Sequence, residues 1–281
     1  MQTSASMRSR VGIATVVAVV GLSLITAPSP ASAAERTAIS ITKIAASSGK
    51  TVIAGETLVL TGKASANLKG KKLTVQAKIG KSWKTLGATP KVSSKRTFTA
   101  KVKTVGLGKT TYRVLFPGTT KGRDLGKSND TRSTTVWKWF PLADQRIVEY
   151  KASYGWYEPY PTAATVAGVY YPNALVGRSK HDRVAWSDFN LSFQCKQFRS
   201  LAGTDDTSPA SSSGTSFVSI DGVTPGTASV PLKLGKPTPL TLNVTDAMRL
   251  RLSVVSPNKD VVKAVWANAK ILCKQNVNPK D

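Results

Sequence analysis

Histidine is almost missing from this chain, and acid is scarce. A single His and two Cys among 281 residues cannot assemble a structural zinc site of the Cys/His type. The same shortage leaves His181 as the sole base for a Ser-His-Asp hydrolase, and it stands in the charged connection Lys180-His181-Asp182-Arg183, the setting of a solvated loop. A glycosidase needs two carboxylates held roughly 5–9.5 Å apart; Asp205 and Asp206 are adjacent, and no persuasive second partner accompanies them. No sustained helical period follows the N-terminus, so the chain reads as nearly all β. With 41% hydrophobic and 20% charged residues, it nevertheless buries a core and is not disordered throughout. These absences favour binding over catalysis.

The N-terminus bears on the compartment. Arg8 and Arg10 precede an uncharged apolar stretch from Val11 to Ile25, and Ala31-Ser32-Ala33 supplies small residues for cleavage. This is the pattern of a secretory signal peptide over residues 1–33. The apolar run falls short of the roughly 20 residues that span a bilayer, and no later segment is long and apolar enough, so the mature chain is expected to be secreted without a transmembrane segment.

What remains divides by composition. Residues 34–137 hold 21 Lys and Arg against 4 Asp and Glu, whereas residues 138–281 hold 17 against 11. Four of the six Trp and six of the seven Tyr lie beyond position 137. A boundary is therefore placed near Trp137 to Pro141, giving a basic domain over 34–137 and a second domain over 138–281.

The first half alternates with period two, as half-buried strands do. Leu73, Val75, Ala77 and Ile79 share one phase; Phe98, Ala100 and Val102 form another such set, and Tyr112, Val114 and Phe116 a third. Turn residues fall between these runs at Lys69-Gly70, Gly80 and Pro117-Gly118. About seven strands in about 100 residues fit an immunoglobulin-like β-sandwich. Gly55-Glu56-Thr57-Leu58, Trp83-Lys84-Thr85 and Tyr112-Arg113-Val114 also resemble Ig-like modules of secreted bacterial proteins.

The second half alternates too. Phe189, Leu191, Phe193 and Cys195 share a phase, as do Leu240, Leu242 and Val244, then Leu250, Leu252 and Val254, and finally Ala269, Ile271 and Cys273. Four ordered segments carry a resemblance: Gly168-Val169-Tyr170-Tyr171-Pro172-Asn173-Ala174-Leu175; Phe198 with Ala202-Gly203-Thr204-Asp205-Asp206; Gly214 to Gly222; and Leu250 to Val255 followed by Ala264-Val265-Trp266-Ala267-Asn268-Ala269. Together they resemble the NPCBM family of carbohydrate-binding modules, first noted beside glycoside hydrolases. The resemblance implies a galactose-binding-like jelly roll over about 165–275. Three positions depart from the family pattern: Arg178 stands near a customary His, Val265 replaces an acid, and Asn268 replaces an Asp.

Sugars bind through aromatic rings stacked on their C–H faces and through planar polar groups that bond paired hydroxyls. Tyr154, Trp156, Tyr157 and Tyr160 form an aromatic-rich stretch that either offers such a platform or packs beneath its own loops. Arg178, Asp205 and Asp206 complete the candidate carbohydrate-binding set. The paired Asp residues either bond hydroxyls, ligate calcium or make an Asx-rich surface turn; no other cofactor is indicated. Trp266 lies in a strand phase that suits the core. Cys195 and Cys273 both fall on apolar phases of a secreted chain, which predicts a disulfide between them.

The excess of Lys predicts a positive field around the first half. Lys69, Lys71, Lys72, Lys78, Lys81, Lys84, Lys101 and Lys103 alternate with core positions and so line outward faces. Expected partners are a polysaccharide or cell-wall glycan and, by charge, anionic wall polymers at the envelope. Without a recognition motif or interleaved aromatics, sequence-specific nucleic-acid reading is not expected.

Overall fold

The computed structural model describes residues 37–49, 51–118, 128–152 and 158–280; segment 1–33, expected from sequence to be a signal peptide, lies outside them. Seven strands come first: β1 (Ile39–Ala46), β2 (Thr57–Ala64), β3 (Thr74–Ile79), β4 (Ser82–Thr85), β5 (Thr97–Lys103), β6 (Gly108–Phe116) and β7 (Ser128–Val136). They make two antiparallel sheets, ordered β1-β2-β5 and β4-β3-β6-β7, which enclose a core of Leu58, Leu60, Val75, Phe98, Tyr112 and Val114 among others. The expected phases hold but for one residue. Ile79 departs from its set: it ends β3 beside a glycine turn and is exposed. Gly62 marks the tightest approach, since a Cβ there would stand 2.4 Å from the Phe98 ring and 2.2 Å from the Ser40 carbonyl. All eight lysines expected to face outward are exposed.

Eleven further strands follow: β8 (Lys138–Pro141), β9 (Ile147–Lys151), β10 (Tyr160–Val166), β11 (Val169–Ser179), β12 (Ala185–Asn190), β13 (Cys195–Thr204), β14 (Gly214–Ile220), β15 (Ser229–Leu232), β16 (Thr238–Asn243), β17 (Arg249–Val255) and β18 (Val262–Cys273). One sheet runs β10-β11-β18-β13-β16, with β8 also paired to β18, and the other runs β15-β14-β17-β12-β9. This is a jelly-roll sandwich. Trp266, Phe189, Phe198, Leu250 and Ile271 fill the space between the sheets. Trp266 is wholly buried. Among the described residues, no helix is long and apolar enough to cross a membrane.

One sequence expectation fails here. Alternation carries a single run from Phe189 to Cys195, but the chain turns inside it. Ser192 and Phe193 both take positive φ, 49° and 59°, and the Gln194 amide donates to the Leu191 carbonyl at 2.9 Å, a tight turn that carries the chain from one sheet to the other. Leu191 and Cys195 stay buried, whereas Phe193 swings out and is 54% exposed. Asn190 supports the turn by accepting the Ser192 amide on its side-chain oxygen at 3.1 Å.

β18 is the hub of the larger sheet. Its first half pairs with β11, from Val262 opposite Ser179 to Trp266 opposite Leu175, and its last residues pair along that same edge with β8, from Lys270 to Cys273. β13 runs along the other edge. The β13 pairing slips between Arg199 and Leu201, where Asn268 takes φ 50°. This extra residue is a β-bulge, and it lets Trp266 and Ile271, an odd number of positions apart, both face the core. Asn tolerates left-handed backbone better than most residues.

Cys195 and Cys273 are register partners on β13 and β18 and are joined as a disulfide across 78 positions. The predicted pairing is observed. Closing so long a loop restricts the unfolded chain by about 4 kcal/mol in the chain-entropy account. The Cys195→Ser, Cys273→Ser double variant should therefore lose roughly 2–5 kcal/mol of unfolding free energy, measurable by urea titration under oxidising conditions. An unchanged midpoint and slope would contradict this placement of the bond.

Candidate functional site

The β10–β11 hairpin turns at Ala167 and Gly168, both at positive φ (51° and 77°). Its geometry is held from outside. The Asp206 carboxylate accepts the Ala167 amide at 2.9 Å and the Gly168 amide at 2.8 Å, while the Asp206 amide donates to the Thr165 carbonyl at 2.8 Å. Asp205, only 6% exposed, accepts the Thr207 amide at 2.8 Å and the Thr165 amide at 3.4 Å. It also accepts the Thr207 hydroxyl. Thr207 in turn accepts a hydrogen bond from the Lys263 ammonium. The Asp206 carboxylate thus serves the β10–β11 hairpin, and that of Asp205 serves both β10 and its own loop. Among the described residues, no three His, Cys, Asp or Glu side chains gather closely enough to hold a metal ion.

Beside this braced loop opens a hollow of about 230 Å³. Thr162 and Thr165 come from β10, Tyr170 and Arg178 from β11, Asp205 and Thr207 from the loop, and Lys263 from β18. Arg178 and Lys263 are register partners on neighbouring strands. Tyr170 is 65% exposed. The hollow therefore offers one open phenol ring, two cations of different shape and several hydroxyls, a set able to stack on and hydrogen-bond a hydroxyl-rich ligand.

Of the residues singled out from sequence, Arg178 and Asp205 meet in this hollow. Asp206 sits next to it with its carboxylate turned to the hairpin amides. Tyr160 begins β10 opposite Val176 and is half-buried, outside the lining. Tyr154, Trp156 and Tyr157 lie outside the described residues. Tyr170, Thr207 and Lys263 were not singled out. Tyr170 belongs to the Val169-Tyr170-Tyr171 segment, but only the curl of the hairpin tells which of its rings reaches water. Val265 is wholly buried in a small second core on the outer face of this sheet, with Val166, Val176 and Ala267, so the customary acid would have no water there. His181 lies exposed in a tight turn, at φ 52°.

Other carboxylates are engaged elsewhere. On the opposite sheet, Arg251 makes a bidentate pair with Asp188 at 2.7 and 2.9 Å and stacks on Trp186 at 3.6 Å. The Asp188 hydrogen bonds hold the guanidinium above its ordinary pKa. This cluster locks the outer face of that sheet.

Residues 147–272 match the NPCBM/NEW2 domain family, and this stretch is an NPCBM/NEW2 domain. No curated protein matches the chain by sequence. Among solved structures, the chain is similar to the CBM51-2 and INT domains of Clostridium perfringens ZmpB, at 17% identity and TM-score 0.40, covering 59% of this chain and 38% of that one. The same ZmpB region in complex with GlcNAc aligns at 16% identity and TM-score 0.39, over 59% and 38% of the two chains. The CBM51 of Clostridium perfringens GH95 in complex with methyl-galactose aligns at 11% and 0.38, covering 47% of this chain and 99% of that one. The chain thus spans well under two thirds of the ZmpB structures.

The two backbone amides held by Asp206 give a direct test of its role. Asp206→Ala should destabilise by about 1–3 kcal/mol and lower the melting temperature by a few degrees, without any dependence on added calcium. A variant that melts like the parent, or a parent that gains stability with calcium, would show that the carboxylate serves something other than the turn.

Proposed function

We propose, from the membership of residues 147–272 in the NPCBM/NEW2 family, that the protein is a secreted, non-catalytic carbohydrate-binding protein of the bacterial cell envelope. The second sandwich is the binding module, and the basic first sandwich, read as an Ig-like module, is its spacer and tether. One observation carries this reading: the family match coincides with an open hollow that holds the exposed Tyr170 ring beside Arg178. A sugar laid on that ring presents its hydroxyls to the guanidinium, the ammonium of Lys263 and the Thr162 and Thr165 hydroxyls. Tyr154, Trp156 and Tyr157, which join β9 to β10 in sequence, complete the proposed sugar-binding set. Because stacking is little screened by ions, binding to neutral glycans should persist near 0.5 M salt.

Tyr170→Ala and Arg178→Gln should each weaken a neutral glycan identified on an array by about tenfold, as read by calorimetry. Tyr170 is exposed, so its melting curve should stay within the small range typical of surface changes. An array without neutral ligands, or affinity untouched by both substitutions, would overturn the reading.

A second reading, an adhesive protein that binds anionic polymers by charge, has its own observation. The outward face of the three-stranded sheet β1-β2-β5 carries Lys43, Lys63, Lys101 and Lys103 among Ser40, Thr57, Thr61, Thr97 and Thr99, and these three strands contribute no carboxylate. Such a face attracts polyanions as point charges. Replacing all four lysines by Gln should advance elution from a polyphosphate column to markedly lower salt. Elution at the parent's salt concentration would remove this reading.

A further inference from the structure

We propose that a second hollow, on the outer face of the larger sheet, binds a pyranose that carries a carboxylate, as in a uronic-acid-containing glycan. Its origin is the division of labour along β18. On one edge, β11 partners this strand as far as Trp266 and β8 takes over at Lys270. Residues 267–269 have no register partner on that edge, and the bulge at Asn268 falls within this gap. Bulges re-aim side chains and recur beside binding sites. A hollow of about 320 Å³ occupies the gap, lined by Trp139, Asn173, Asn268 and Lys270 among others.

Its chemistry is specific. Trp139 is half-buried and also lines the adjoining hollow with Arg199. The Arg199 guanidinium lies 5.0 Å and the Lys270 ammonium 5.3 Å from the Trp139 ring centroid. Arg199 and Lys270 are themselves direct register partners on β13 and β18. Like charges placed opposite one another on a sheet are destabilising, and among the described residues no carboxylate lies within ion-pair distance of either. Glu56 stands across the adjoining hollow without pairing with them. The ring's quadrupole offsets part of this repulsion, but folding alone gives no reason to juxtapose the cations. A ligand anion does. An indole suits the C–H face of a pyranose, and the Asn173 and Asn268 amides can each bond hydroxyls as donor and acceptor.

This hollow differs from the Arg178 hollow in place and in ligand. Trp139 precedes the family-matched residues 147–272, so one wall of this hollow comes from outside the matched domain.

The full secreted chain is titrated calorimetrically with trigalacturonic acid and with a neutral galactose trisaccharide, following indole fluorescence in parallel. Trigalacturonic acid should bind and change the fluorescence, and the Arg199→Gln, Lys270→Gln double variant should weaken it by about tenfold or more. Trp139→Ala should abolish the fluorescence change, and the double variant, at the exposed Arg199 and the half-buried Lys270, guards against a misfolded Trp139→Ala. Arg178→Gln and the four-lysine variant of the first sandwich should leave acidic-sugar binding unchanged. Absence of binding, or an undiminished affinity in the double variant, would overturn the inference. So would equal losses in the Arg178 or four-lysine variants. Loss of neutral-glycan binding through Tyr170 or Arg178 bears instead on the site of the proposed function.

Discussion

The fold of the second sandwich depends on how one strand is shared. β18 must keep Val262, Ala264 and Trp266 in the core, and then Ala269, Ile271 and Cys273 as well. Strict alternation cannot do this, because the two sets are out of step by one residue. The bulge at Asn268 absorbs the difference, at a backbone conformation that Asn accepts more readily than most side chains. Once the phase is reset, Cys273 lies opposite Cys195 and the disulfide closes the sheet. Lys270 is turned outward and Trp266 inward. Both outer hollows sit beside this strand, one flanking the stretch that lacks a partner on the β11 edge and one at its first residues.

The braced loop after β13 has a comparable role on a smaller scale. Asp205 and Asp206 bond backbone amides of Thr165, Ala167, Gly168 and Thr207. That fixes the β10–β11 hairpin and leaves Tyr170 standing in water. The carboxylates that a sequence reader would assign to a ligand are thus spent on positioning. The groups left to meet a sugar are the ring, the two cations and the hydroxyls around them. Such an arrangement suits a module that recognises by shape and stacking, on a rigid scaffold.

Much of the architecture was legible in sequence because period-two alternation directly reports which face of a sheet meets the core. The strands of the first half, the burial of Trp266 and the Cys195–Cys273 pairing followed from that pattern. Phe193 escaped because alternation is blind to a two-residue turn that happens to preserve the apolar phase. Tyr170 and Lys263 escaped because a hollow is made by strands distant in sequence. The Trp139 hollow was harder still, since Trp139 and Lys270 are brought together only by the short strand β8, which has no strong pattern of its own.

The account rests on the second sandwich holding an open, ring-bearing hollow beside Arg178 that takes sugar. Amide chemical-shift mapping of the labelled protein with a neutral oligosaccharide, at salt high enough to screen charge, tests this most directly. The account predicts shifts concentrated at Thr162, Thr165, Tyr170, Arg178, Thr207 and Lys263. Shifts confined to the lysine-bearing face of the first sandwich, or no shifts at all, would contradict it.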